Sequence, residues 1–154
     1  AVAQAAHDAV FDERERQLVR LDARARPLLE RLAMPTALTS EEQRTCALVE
    51  AQLRDAIRAP SFDEHTVADE VWRARSRGVE VVLLDDRGLD DATAEVRTRL
   101  IGAVAEALAA AESGTVTVRV LPPGRVVLAT ILHAFGERVE RVEIDLNGEL
   151  LAVD

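Results

Sequence analysis

His7 and Asp8 stand side by side in AAHDAVF. An imidazole next to a carboxylate is the pairing that phosphoryl and proton transfer use: the ring nitrogen attacks or accepts a proton while the acid orients it. A surface histidine on a helix accounts for the same dipeptide. Glu106, in an alanine-rich stretch, has the option of acting as a base, against the simpler reading of a solvated glutamate. Asp85, Asp86, Asp90 and Asp91 crowd the segment DDRGLDD. Their spacing does not match a calcium loop, and a turn leading into a helix cap explains them better. His65 and His133 have no Cys or His at ligand spacing, so no metal site is expected. Cys46 fits a small core residue rather than a reactive thiolate.

Composition narrows the partners of any such chemistry. The chain has 154 residues and a formal charge of −9, so nucleic acid and anionic lipid surfaces are unfavourable partners. Apolar residues make up 48% and aromatics only 3%, which argues for a folded core built from Ala, Val and Leu. A single cysteine excludes an internal disulfide and favours a reducing compartment. No apolar run is long enough to span a bilayer and no targeting segment is visible. The expected setting is cytoplasmic, as part of a longer protein.

The elements that must carry these residues can be read from periodicity. Residues 1–33 read as one long helix, with Phe11, Leu18, Leu21, Ala25, Leu28 and Leu32 at helical steps and a bend predicted at Pro27. MPTALTS breaks it. A capping box of Thr39 with Glu42, or of Ser40 with Gln43, opens a second helix to about Arg58, with Cys46, Val49, Leu53 and Ile57 on one stripe. Such a pair forms an antiparallel hairpin, but neither stripe can be buried fully by the other. A homodimeric four-helix bundle through residues 1–59 is therefore expected. Arg54, Asp55 and Arg58 end the second helix. Favourable helix-dipole charge accounts for the arginines, and docking through an Asp–Arg pair is the sharper alternative.

Ser61 with Glu64 is expected to cap a third helix through Val67, Val71 and Trp72, with Gly78 ending it and Trp72 filling the space above a sheet. VEVVLLDD reads as a strand. Asp90 or Asp91 is expected to start a fourth helix, Ala92 to Ser113. TVTVRVL and RVVLATIL are strands joined at Pro122-Pro123-Gly124, and VEIDL and ELLAVD flank the Asn147-Gly148 hairpin turn. The fold class is α+β, with residues 60–154 a small α/β sandwich on a mostly antiparallel sheet.

In this order the chain resembles the cytoplasmic core of a sensor histidine kinase of the type whose phosphoacceptor lies in a His-Asp pair. His7-Asp8 matches that pair, and AQLRDAI, at a similar spacing, matches the leucine-arginine element of the family's dimerisation hairpin. The helix containing Glu106 stands where the family has its ATP-binding helix. The resemblance implies a glutamate followed four residues later by an asparagine that holds Mg²⁺, but that place is Ala110, whose methyl group cannot coordinate. Where the family has an adenine-reading carboxylate and glycines, VVLATILHAFGER offers His133, Ala134 and Phe135, with Gly136 alone remaining. No glycine-rich phosphate loop follows.

The resulting expectation is a non-catalytic signalling or protein-interaction module, not an enzyme by itself, that has lost ATP binding and takes no cofactor. Glu106 is a remnant only. Its segment makes no membrane contact, although it fits the cytoplasmic part of a larger membrane-bound sensor. The alternative is a histidine phosphotransferase in which His7 exchanges phosphate with a receiver domain. An ATP-dependent kinase and a family-unrelated α+β binding domain are the remaining readings.

Overall fold

The computed structural model describes residues 1–151 and is α+β. Among them are four helices and one five-stranded mixed sheet. The helices are α1 (Val2–Leu32), α2 (Ser40–Arg58), α3 (His65–Ser76) and α4 (Ala94–Ala110). The strands are β1 (Glu80–Asp85), β2 (Thr115–Val120), β3 (Val127–Phe135), β4 (Arg138–Asp145) and β5 (Leu150–Leu151). The chain divides into two compact units, residues 1–53 and 54–154, so the last turn of α2 belongs with the second.

In the first unit, α1 runs through Pro27 without interruption. At 31 residues it is about 46 Å long. The capping box at the start of α2 forms with Thr39: its Oγ1 accepts from the Glu42 amide at 3.2 Å, and its own amide donates to Glu42 Oε2 at 2.7 Å. Arg31 Nε donates to Glu42 Oε1 at 2.7 Å, and Arg24 Nη1 to Gln52 Oε1 at 2.8 Å. The buried apolar side chains are Leu28 on α1 and Val49 on α2, with Leu21 and Cys46 half-buried. Much of the less exposed line along α1 is polar, including Glu13, Gln17, Arg24 and Arg31. Phe11, Leu18 and Leu32, spaced seven residues apart with Ala25 between, are 57%, 67% and 52% exposed. Leu53 and Ile57 on α2 are also exposed, so only the first half of the expected α2 stripe is covered.

The second unit is organised by alternation. Val116, Val118 and Val120 of β2 face the helices while Thr115, Thr117 and Arg119 face away, as a period of two requires. β1 pairs with β2 in parallel, which demands a crossover, and α4 supplies it. The remaining neighbours are antiparallel in the order β1-β2-β3-β4-β5. Val67, Val71 and Ala74 of α3 and Leu100, Val104 and Leu108 of α4 pack over Val81, Leu83, Val118, Ile131 and Ile144 of the sheet.

Several boundaries differ from the sequence expectation. Glu64 itself caps α3, accepting from the Thr66 and Val67 amides, whereas Ser61 lies in a short 3₁₀ turn, Pro60–Phe62, and donates its amide to Asp85. Phe62, 2% exposed, is the large buried side chain there, and Trp72 is only half-buried. Thr93, not Asp90 or Asp91, caps α4, because its Oγ1 reaches the Val96 amide while Asp90 is paired with Arg87. That helix ends at Ala110, three residues before Ser113, where Arg77 Nη2 binds the Leu108 and Ala111 carbonyls at 2.9 and 3.0 Å. β3 runs on to Phe135, and a two-residue turn at Gly136-Glu137 sets its register with β4. The expected final strand is present at Leu150–Leu151, and its remaining residues, 152–154, lie outside the described ones.

Gly114, at φ +83, joins α4 to β2. A Cβ there would lie 2.1 Å from the Ala134 carbonyl oxygen, so both conformation and space require glycine.

Candidate functional site

His7 and Asp8 lie in the first turns of α1, both exposed. Successive residues on a helix diverge by about 100°, and the two side chains have different partners. The imidazole meets Phe11 edge-on, ring centres 4.7 Å apart, while Asp8 accepts from Gln4 Nε2 at 3.2 Å. The ring is open to an approaching protein, and the carboxylate is held on the neighbouring line of the helix.

The acidic segment is occupied by local bonding. Asp85 accepts from the Ser61 and Arg87 amides, Asp86 from Arg119 and Asp90 from Arg87. Arg87 adopts φ 68, and a Cβ on Gly88 would sit 2.0 Å from the Leu121 carbonyl oxygen, so this is a tight turn. At the end of α2, Asp55 pairs with Arg75 at 2.6 Å, both side chains largely buried. Arg75 also donates to the Val81 carbonyl at 2.8 Å, which blunts the free edge of β1. Sequence reasoning raised an Asp–Arg pair here but did not name Arg75 as the partner.

A concave feature of mixed chemistry lies beside the C-terminal end of α4. It is a cleft of about 360 Å³ with Ala107 and Ala110 on the helix side and Val116, Ile131 and Val142 on the sheet side. His133, Phe135, Glu112 and Glu140 complete its lining. Glu106 is exposed and is not part of it. Strand register explains the grouping. His133 pairs with Val116 on one side and with Glu140 on the other, so all three share the helix-facing side of the sheet. The His133 and Phe135 rings lie 4.5 Å apart, tilted by 35°.

His133 Nε2 lies 2.8 Å from the Ser113 carbonyl oxygen. A carbonyl only accepts, so Nε2 carries the proton and Nδ1 is the acceptor of the neutral ring. From sequence, Glu112 and Glu140 were not singled out, and Phe135 was noted only as standing where an adenine-reading carboxylate was sought. For Phe135 and Glu140 the signal was the alternation of β3 combined with Gly136, at the two-residue hairpin that sets Glu140 opposite His133, whereas Glu112 is placed by the end of α4. Among the described residues no group of three or more His, Cys, Asp or Glu is placed to hold a metal, and no helix is long and apolar enough to cross a membrane.

No protein-family model, curated protein or solved structure matches the chain.

Proposed function

We propose that the chain is a non-catalytic, histidine-kinase-like signalling module in which residues 1–59 form a helical hairpin that associates with a second copy as a four-helix bundle. The observation that carries this reading is the line Phe11, Leu18 and Leu32, each more than half exposed at steps of seven and fourteen residues, with the half-buried Ala25 between the last two, on a helix of 31 residues. A regular apolar line facing water on so long a helix is the pattern that pairs helices in coiled coils and bundles. In this reading, residues 60–154 keep a kinase-type topology without ATP. Ala110, at the position where the resemblance asks for a metal ligand, lines the cleft with a methyl group. The charged side chains of that lining are the carboxylates of Glu112 and Glu140, which repel a triphosphate. The assignment places the chain in the cytoplasm, coupled to a larger sensor.

Light scattering on the purified chain tests association, and calorimetry with ATP and Mg²⁺ tests the loss of nucleotide binding. A dimer that produces no heat of nucleotide binding supports the proposal. A monomer at all concentrations, or micromolar ATP affinity, overturns it.

The exposed imidazole of His7 favours a second reading, histidine phosphotransfer with a receiver domain. Transfer from a phosphorylated receiver that is lost in His7→Gln supports it, and unchanged transfer in that variant eliminates it.

A further inference from the structure

Two helices cannot cover five strands, and the part of the sheet left open beside α4 is the β3–β4 hairpin. Had this been only a packing gap, apolar lining would suffice. Instead the apolar floor of Val116, Ile131 and Val142 is bordered by two aromatic rings and two carboxylates. The ring pair is held in place, because His133 is anchored to the Ser113 carbonyl and lies against Phe135. Neither Glu112 nor Glu140 has a hydrogen-bond or ion-pair partner among the described residues. The C-terminal end of α4 is capped by Arg77, so the negative charge at the cleft is that of Glu112 and Glu140. Arg138 shares this face of β4, opposite Phe135, but is not part of the lining.

These features select for one ligand chemistry. An anion meets like charge on both sides. A purely apolar ligand would bury the carboxylates without compensation. An ammonium ion satisfies the charge but leaves the ring faces unused. A guanidinium is flat, stacks on aromatic faces and presents several donors to carboxylates and to the imidazole Nδ1. Its aliphatic stem suits an apolar floor. A cleft of about 360 Å³ is near the lower end of the size range of ligand pockets, which fits one inserted side chain better than a large molecule.

We infer that the cleft between α4 and the β3–β4 hairpin seats an arginine side chain presented by a partner polypeptide. The inference uses only residues of the second unit and stands whether or not α1 associates with a second copy.

The test is a titration of the isotope-labelled full chain, followed by amide NMR, with N-acetyl-arginine amide and, separately, with its neutral isostere N-acetyl-citrulline amide. Capped arginine is expected to shift the resonances of Ala110, His133, Phe135 and Glu140 with a dissociation constant on the order of 1 mM. Citrulline should bind at least about tenfold more weakly, since it loses both the ion pairs and the cation–π contact. Glu140→Gln, at an exposed position, and Phe135→Leu should each weaken arginine binding about threefold. An unchanged spectrum confirms that each variant is folded. Equal binding of citrulline, shifts confined to acidic surfaces elsewhere, or unaltered affinity in both variants overturns the proposal.

Discussion

Replacing Leu18 by glutamate is the sharpest perturbation of the proposed association. The side chain is 67% exposed in the single chain, so a symmetric bundle has about two thirds of a leucine left to bury. Full burial of a leucine contributes about 1.5–3 kcal/mol, which makes that share roughly 1–2 kcal/mol per copy. In a two-fold interface the substitution acts twice, giving roughly 2–4 kcal/mol, or about 30- to 900-fold weaker association before any cost of the added charges. Glutamate forms helix about as well as leucine, so α1 itself should persist. Sedimentation equilibrium over a range of concentrations reads the association constant, and circular dichroism reads the helix. Val126→Glu is the control, because Val126 is 84% exposed in the loop before β3 and lies outside the proposed interface. The reasoning fails if Leu18→Glu associates as tightly as the unaltered chain, or if Val126→Glu weakens association equally.

Three further outcomes follow from the second unit and from the start of α2. Asp55→Ala strips Arg75 of its carboxylate in a largely buried setting and should cost about 1–3 kcal/mol in urea unfolding followed by Trp72 fluorescence; no change would show the pair to be energetically idle. Gly114→Ala must combine a left-handed backbone with a 2.1 Å approach to a carbonyl and should cost about 2 kcal/mol or more, against about 1 for Gly78→Ala, where φ is +92 but the space is open. Equal unfolding midpoints for the two variants would refute the steric argument. Glu42 is held below its ordinary 4.5 by the hydrogen bond from the Thr39 amide, helped by Arg31. The ionised form is the one the folded state favours, so its contribution to the α2 cap is present above 4.5 and is lost as pH falls through the lower folded value. An NMR titration of the Glu42 carboxyl should therefore have its midpoint below that of an unstructured glutamate, and should move part of the way up toward it in Arg31→Gln, which removes the guanidinium and leaves the Thr39 amide bond in place.

The regular parts of the fold were legible because local chemistry and tertiary context agree there. TVTVRV alternates cleanly, and the strand has one buried face. Asn147-Gly148 makes its turn, with Gly148 at φ 80 and the Asp145 side chain accepting from the Asn147 and Glu149 amides. Element ends were harder to place. Asp90, Asp91 and Thr93 are all competent caps, and Thr93 caps because Asp90 is drawn to Arg87, an interaction set by the tight turn at Gly88. Trp72 illustrates a different failure: size suggested burial, but the core position went to Phe62, which the 3₁₀ turn after Pro60 folds inward. The cleft was only partly visible. His133 drew attention as a candidate ligand, whereas its relation to Glu140 depends on the two-residue hairpin and its relation to Glu112 on where α4 stops. No spacing in the sequence displays either directly.

In the proposed reading, position 110 is where the missing metal ligand and the open cleft coincide. Ala110 brings only a methyl group to the cleft lining, and the carboxylates of Glu112 and Glu140 are the charges that the lining presents. In the proposed reading, the same small residue fits both the loss of ATP binding and a seat for a cationic side chain. A chain with 3% aromatic residues that sets Phe135 against His133 at the rim of this opening, instead of in the core, has put a scarce ring where a guanidinium can stack on it.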